Sequence, residues 1–131
     1  MEIPNELHQR RDLAGSCGRA LIWWGPGVAL LTLTDSMGWW PHVAGWSLGL
    51  AWLGAMCLRN ARRCGRMHCY FTGPFALVMA AVVLAVGFHL VSFGHNTWNL
   101  VTWTLIIGWV VLANVPEMVW GRYRCPMPDP R

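Results

Sequence analysis

The stretch that decides the fold is residues 70–93, YFTGPFALVMAAVVLAVGFHLVSF, which holds no Asp, Glu, Lys or Arg. A membrane-crossing helix needs about 20 mostly apolar residues at about 1.5 Å of rise each. This segment meets that length, and so does residues 97–120 behind it, interrupted only by Glu117 near its far end. Upstream stand Arg59, Arg62, Arg63 and Arg66, and the next arginine is Arg122. Working outward, the same pattern recurs: no basic residue lies between Arg19 and Arg59.

Composition agrees with a chain solvated by lipid. Charged residues make up 12% of the 131 residues and hydrophobic ones 55%, with a mean hydropathy of +0.36. A soluble domain carries about a quarter charged residues. All ten basic residues are arginine, in three clusters: Arg10, Arg11 and Arg19; Arg59 to Arg66; and Arg122, Arg124 and Arg131. The net charge of +4 is therefore a topology signal, and arginines this close to apolar runs argue against a nucleic-acid partner. The polar first 19 residues lack the form of a cleaved secretory signal and predict an uncleaved anchor.

Each interval between arginine clusters has room for a helical hairpin. The predicted architecture is an all-α membrane protein of four transmembrane helices, arranged as two tandem hairpins. The spans fall at 20–34 (reaching residue 40 at most), 42–57, 70–93 and 97–120, with turns at 34–38 and 93–96. The first pair is short for a bilayer, which predicts thinning or tilt there. Basic clusters mark the cytoplasmic side, so the segments 1–19, 58–69 and 121–131 are expected in the cytoplasm. The whole is a multi-pass protein of a bacterial inner membrane with both termini inside. Trp23, Trp24 and Trp120 then lie near the inner face and Trp39, Trp40 and Trp98 near the outer one.

The hairpins share a faint repeat. Cys17-Gly18-Arg19 is followed by Gly25-Pro26, and Cys64-Gly65-Arg66 by Gly73-Pro74. A proline inside a helix frees a carbonyl, which must find a partner in another helix or a cavity. Gly45, Gly49 and Gly54 allow close helix approach, within the chain or in a homo-oligomer.

The chemistry-bearing residues gather at the basic end. All five cysteines, Cys17, Cys57, Cys64, Cys69 and Cys125, fall at or near the expected cytoplasmic face, where thiols stay reduced. The densest group is Cys64-Gly-Arg-Met-His-Cys69, with Met67 and His68 between two thiols. Arginine beside Cys64 and Cys125 favours the thiolate, the form that binds soft metals. Gly65 is expected to break the helix and fold the loop thiols together. Mercuric ion needs only two thiolates. A tetrahedral zinc site would need more ligands than the loop offers. Cys64, Cys69 and His68 are the predicted metal ligands, with Cys17 and Cys125 as exchange partners.

The segment from Cys64 to Pro74, CGRMHCYFTGP, resembles a group of small uncharacterised bacterial membrane proteins associated with mercury-resistance genes. The resemblance covers the middle loop and the start of the third span. It implies a soft metal ion, mercuric ion above all, as substrate, with no obligatory cofactor. The chain departs from the familiar mercuric-ion transporters, which carry an adjacent cysteine pair in their first span.

Other polar residues are sparse. Glu117 near the inner end of the last span is costly at membrane depth and is expected to pair with an arginine such as Arg122. Asn114 lies three residues earlier on the same face. Asp35, His42, His89 and His95 are expected at the outer end as a polar cluster that can admit a cation. No Cys-x-x-Cys, Gly-x-Ser-x-Gly, His-Glu-x-x-His or phosphate loop occurs, which points away from an enzyme. The leading reading is a soft-metal binding and transport protein. Its rivals are a non-catalytic membrane subunit that holds anionic lipid or a protein partner, and a cysteine-dependent membrane enzyme.

Overall fold

A computed structural model describes Leu13 and residues 17–91, 94 and 96–121, apart from the side chain of Cys64. It is all-α: α1 spans Cys17–Thr34, α2 Trp39–Cys64, α3 Met67–Gly87 and α4 Thr97–Trp120. No β-sheet forms among the described residues. α3 and α4 are each long and apolar enough to cross a membrane.

The helices pack in sequence order. α2 and α3 share the most extensive contact, α1 lies against α2 and α4 against α3, and the backbones of α1 and α4 do not approach each other. α3 is the central helix. Cys69, Thr72, Gly73, Ala76, Met79, Ala80, Val83, Val86 and Gly87 are buried along it at helical spacing. Val83, Met79 and Ala80 meet Val43 and Leu50 of α2 and Val101 of α4 to form the main core. In α4 only Val101 and Pro116 are buried, while Leu100, Trp103, Ile107 and Val110 are more than half exposed. A helix that turns this much apolar surface outward is not built to face water.

Glycines set the helix separation. A Cβ built on Gly49 would lie 2.9 Å from the Gly27 carbonyl oxygen, and one on Gly54 would lie 2.9 Å from that of Gly73. Backbones therefore touch where α1 crosses α2 and where α2 crosses α3. Gly45 and Gly49 face α1 and Gly54 faces α3, so contacts within the chain use all three. The internal prolines of α1 and α3 flank these crossings, Pro26 beside Gly27 and Pro74 beside Gly73. The Trp23 carbonyl accepts the indole N–H of Trp52 from α2 at 2.9 Å, a further tie between α1 and α2.

Two boundaries differ from the sequence reading. α2 runs on through Arg59, Arg62 and Arg63 to Cys64, so the expected loop 58–69 shrinks to Gly65 and Arg66. Arginine is a good helix former, and the stop comes only at Gly65, left-handed at φ 68°, whose N–H bonds the Ala61 carbonyl at 2.8 Å. α3 ends at Gly87 rather than near residue 93, because His89 adopts φ 57° and stacks on Trp39 at 5.5 Å. The helix Thr97–Trp120 has the expected limits.

Candidate functional site

The α2–α3 hairpin builds the site. One turn beyond the Gly54–Gly73 contact, Cys57 of α2 and Cys69 of α3 pack in one buried cluster. They are 2% and 0% exposed, and neither is in a disulfide. Ala61 and Trp109 pack against them. The Asn60 amide N–H points to the Cys69 sulfur at 3.8 Å, and its oxygen accepts the Leu13 backbone N–H at 2.9 Å. Leu13, itself buried, thus lies one side chain away from Cys69. The Thr72 hydroxyl donates to the His68 carbonyl at 2.9 Å.

Of the expected ligands, Cys69 is in this pair. Its partner is Cys57, which sequence reading placed at the right face without giving it a role. A signal was present: Cys57 lies three residues after Gly54 and Cys69 four residues before Gly73, so in antiparallel helices the register that opposes the glycines opposes the thiols. Cys17 is exposed at the start of α1. The Cys64 side chain and Cys125 lie outside the described residues. Among the described residues, no group of three or more His, Cys, Asp and Glu side chains gathers as a metal site.

His68 is engaged elsewhere. Its Nδ1 lies 2.5 Å from Oε1 of Glu117, which also accepts from Arg66 Nε at 3.2 Å. Glu117 follows the buried Pro116 near the end of α4, and its side chain is 22% exposed. Arg66 and His68 are therefore its partners here, while the expected Arg122 lies outside the described residues. The trio fastens the end of α4 to the α2–α3 turn, next in sequence to Cys69. Asn114 donates to the Val110 carbonyl of its own helix at 2.7 Å, so it satisfies itself rather than sharing an interface with Glu117.

Nearby, Arg59, Arg62 and Arg63 stand at helical spacing around a cavity of about 570 Å³ with Leu58 and Leu77 in its wall. The Arg59 guanidinium sits 5.0 Å over the Trp23 ring. Basic groups above apolar walls suit an anionic headgroup.

At the opposite end of the bundle, Asp35 and His42 do come together, with Oδ1 to Nδ1 at 3.4 Å. His89 reaches the same cluster through its stack on Trp39, which also meets Trp98 edge-on at 5.6 Å. His42 stacks on Trp46 at 5.0 Å and meets Trp98 edge-on at 4.6 Å. His95 lies outside the described residues. This end is more aromatic than the acid-and-histidine cluster that sequence reading expected.

No family model, curated protein or solved structure matches the chain.

Proposed function

We propose that this is a four-span protein of a bacterial inner membrane that binds a soft metal ion, mercuric ion in the first place, and passes it between thiols at the cytoplasmic face. The observation that carries the reading is the buried pair Cys57–Cys69, two soft donors from different helices packed in one cluster. Thiolates select soft ions, and two suffice for mercuric ion, whereas zinc asks for four ligands. Binding replaces the two thiol protons with the metal. Cys17 is exposed and four residues beyond Leu13, so it is the thiol placed to exchange with the buried pair from outside. Cys64 and Cys125 are further exchange partners in the same reading.

Support for membrane residence comes from α3 and α4 and from the apolar outer face of α4. The shorter α1 and the more polar α2 complete the four spans in this reading. Their arginines lie at the same end as the thiols, which the positive-inside rule assigns to the cytoplasm.

The test is a mercuric-ion titration of the purified chain in detergent against a competing small thiol. The wild type and Cys17→Ser should bind one ion in a form that resists the competitor. The double variant Cys57→Ser, Cys69→Ser should lose that binding and keep its helical circular dichroism. Equal binding by the double variant would remove the pair as the site. If the wild type holds mercuric ion no better than a lone exposed thiol does, the metal reading fails altogether.

A further inference from the structure

Asp35, Ser36, Trp39, His42, Trp46 and Trp98 line a cavity of about 520 Å³ at the end of the bundle opposite the thiols. That volume lies within the roughly 300–1,000 Å³ of small-molecule sites. Asn99 and Thr102 of α4 complete it. We propose that this cavity binds a quaternary ammonium compound with an oxygen acceptor close to the charged nitrogen, of the choline or betaine type.

Trp98 stands across the other rings: it meets Trp39 at 83°, His42 at 87° and Trp46 at 76°, with centroids 4.6 to 6.1 Å apart. Three indoles thus line one cavity, and a cation over an indole face is attracted to it. The carboxylate of Asp35, 66% exposed at the rim, supplies a formal counter-charge.

The donor set decides which cation. Only Asp35 and His42 among the lining residues are strong metal ligands, too few to replace the water shell of a hard ion. A quaternary ammonium has no N–H to satisfy and holds its water weakly, so it loses little on entering a ring-walled cavity. The oxygen beside the nitrogen is matched by Ser36, Asn99 and Thr102, whose side chains bring hydrogen-bonding groups to the same cavity.

The ammonium can arrive as a free solute or as the headgroup of phosphatidylcholine, and one experiment separates them. The full chain is placed in nanodiscs of phosphatidylglycerol alone, and binding of radiolabelled choline is measured. The binding should saturate. The neutral tert-butyl isostere of choline, with carbon in place of nitrogen, should compete roughly tenfold less well or worse. Asp35→Asn and Trp98→Leu should each weaken choline binding by roughly tenfold. Asp35 is exposed, so its variant tests the idea even where loss of Trp98 disturbs folding. In nanodiscs containing phosphatidylcholine, a several-fold loss of choline affinity assigns the site to the headgroup, and unchanged affinity assigns it to the free solute. The inference is overturned by non-saturable binding, by equal competition from the neutral isostere, or by wild-type affinity in the Asp35→Asn variant.

Discussion

Replacing Gly54 with alanine tests the contact on which the thiol site rests. The new Cβ would lie 2.9 Å from the Gly73 carbonyl oxygen and equally close to the Leu77 side chain. A side-chain methyl can rotate away, but a backbone oxygen in a packed helix cannot, so α2 and α3 must move apart. Overpacking of this kind costs about 1–3 kcal/mol. Alanine gains back about 0.5–1 kcal/mol over glycine inside a helix. The net loss is then about 0–2.5 kcal/mol. Gly18 of α1 is the control, because nothing stands within 4 Å of its added Cβ. Gly18→Ala should leave stability unchanged or raise it by up to about 1 kcal/mol. The assay is reversible unfolding in mixed micelles followed by far-ultraviolet circular dichroism. Cys57 and Cys69 lie one turn from the strained contact, so Gly54→Ala should also weaken mercuric-ion binding while Gly18→Ala does not. A Gly54→Ala protein as stable as Gly18→Ala would show that the backbones do not touch there, and the opposition of the two thiols would lose its geometric basis.

Two further outcomes are expected. Glu117→Gln should lower stability by about 1–2 kcal/mol, since a charged acceptor shared by His68 and Arg66 is lost from a side chain only 22% exposed; Asp35→Asn, at an exposed single contact, should cost below about 1 kcal/mol, and equal losses in the same unfolding assay would refute the clamp. Cysteine introduced at Gly38 or Asn96 should react in intact cells with a maleimide that cannot cross the inner membrane, and protection of both positions would reverse the assigned orientation.

The fold was legible where one physical demand dominates. A long apolar run between arginine clusters reads as a helix, and 97–120 was read to the residue because the stretch between Asn96 and Gly121 stays mostly apolar despite Glu117. Legibility failed where two demands compete. At 58–64 the arginines read as loop by charge, yet they continue α2 because a helix can carry charge past the end of its apolar part. At 88–93 apolar residues read as helix, yet Gly87 and the left-handed His89 turn the chain so that His89 can cover Trp39. Neither outcome is encoded in local hydropathy. The thiol site was half legible for the same reason. Proximity in sequence favoured Cys64 with Cys69, whereas the antiparallel register set where Gly54 meets Gly73 brings Cys57 to Cys69. Glu117 was recognised as needing a cation, but its partners came from the distant turn, because α4 packs along α3 and ends beside the start of that helix.

Charge balance links the thiol pair to the proposed cargo. Cys57 and Cys69 are buried, and a net charge placed there is expensive unless it is matched. A divalent ion that displaces two thiol protons leaves the site neutral, so binding adds no charge to the interior. A monovalent cuprous ion on the same two thiolates would leave one negative charge, and a zinc ion with four thiolates would leave two. Arg66 is the cation nearest this turn, and it is already committed to Glu117 together with His68. Arg59 lies over Trp23, and Arg62 and Arg63 line the cavity with it. Of the soft ions that thiolates select, the divalent one that is content with two ligands is therefore the one this helix crossing can hold without importing a counter-charge.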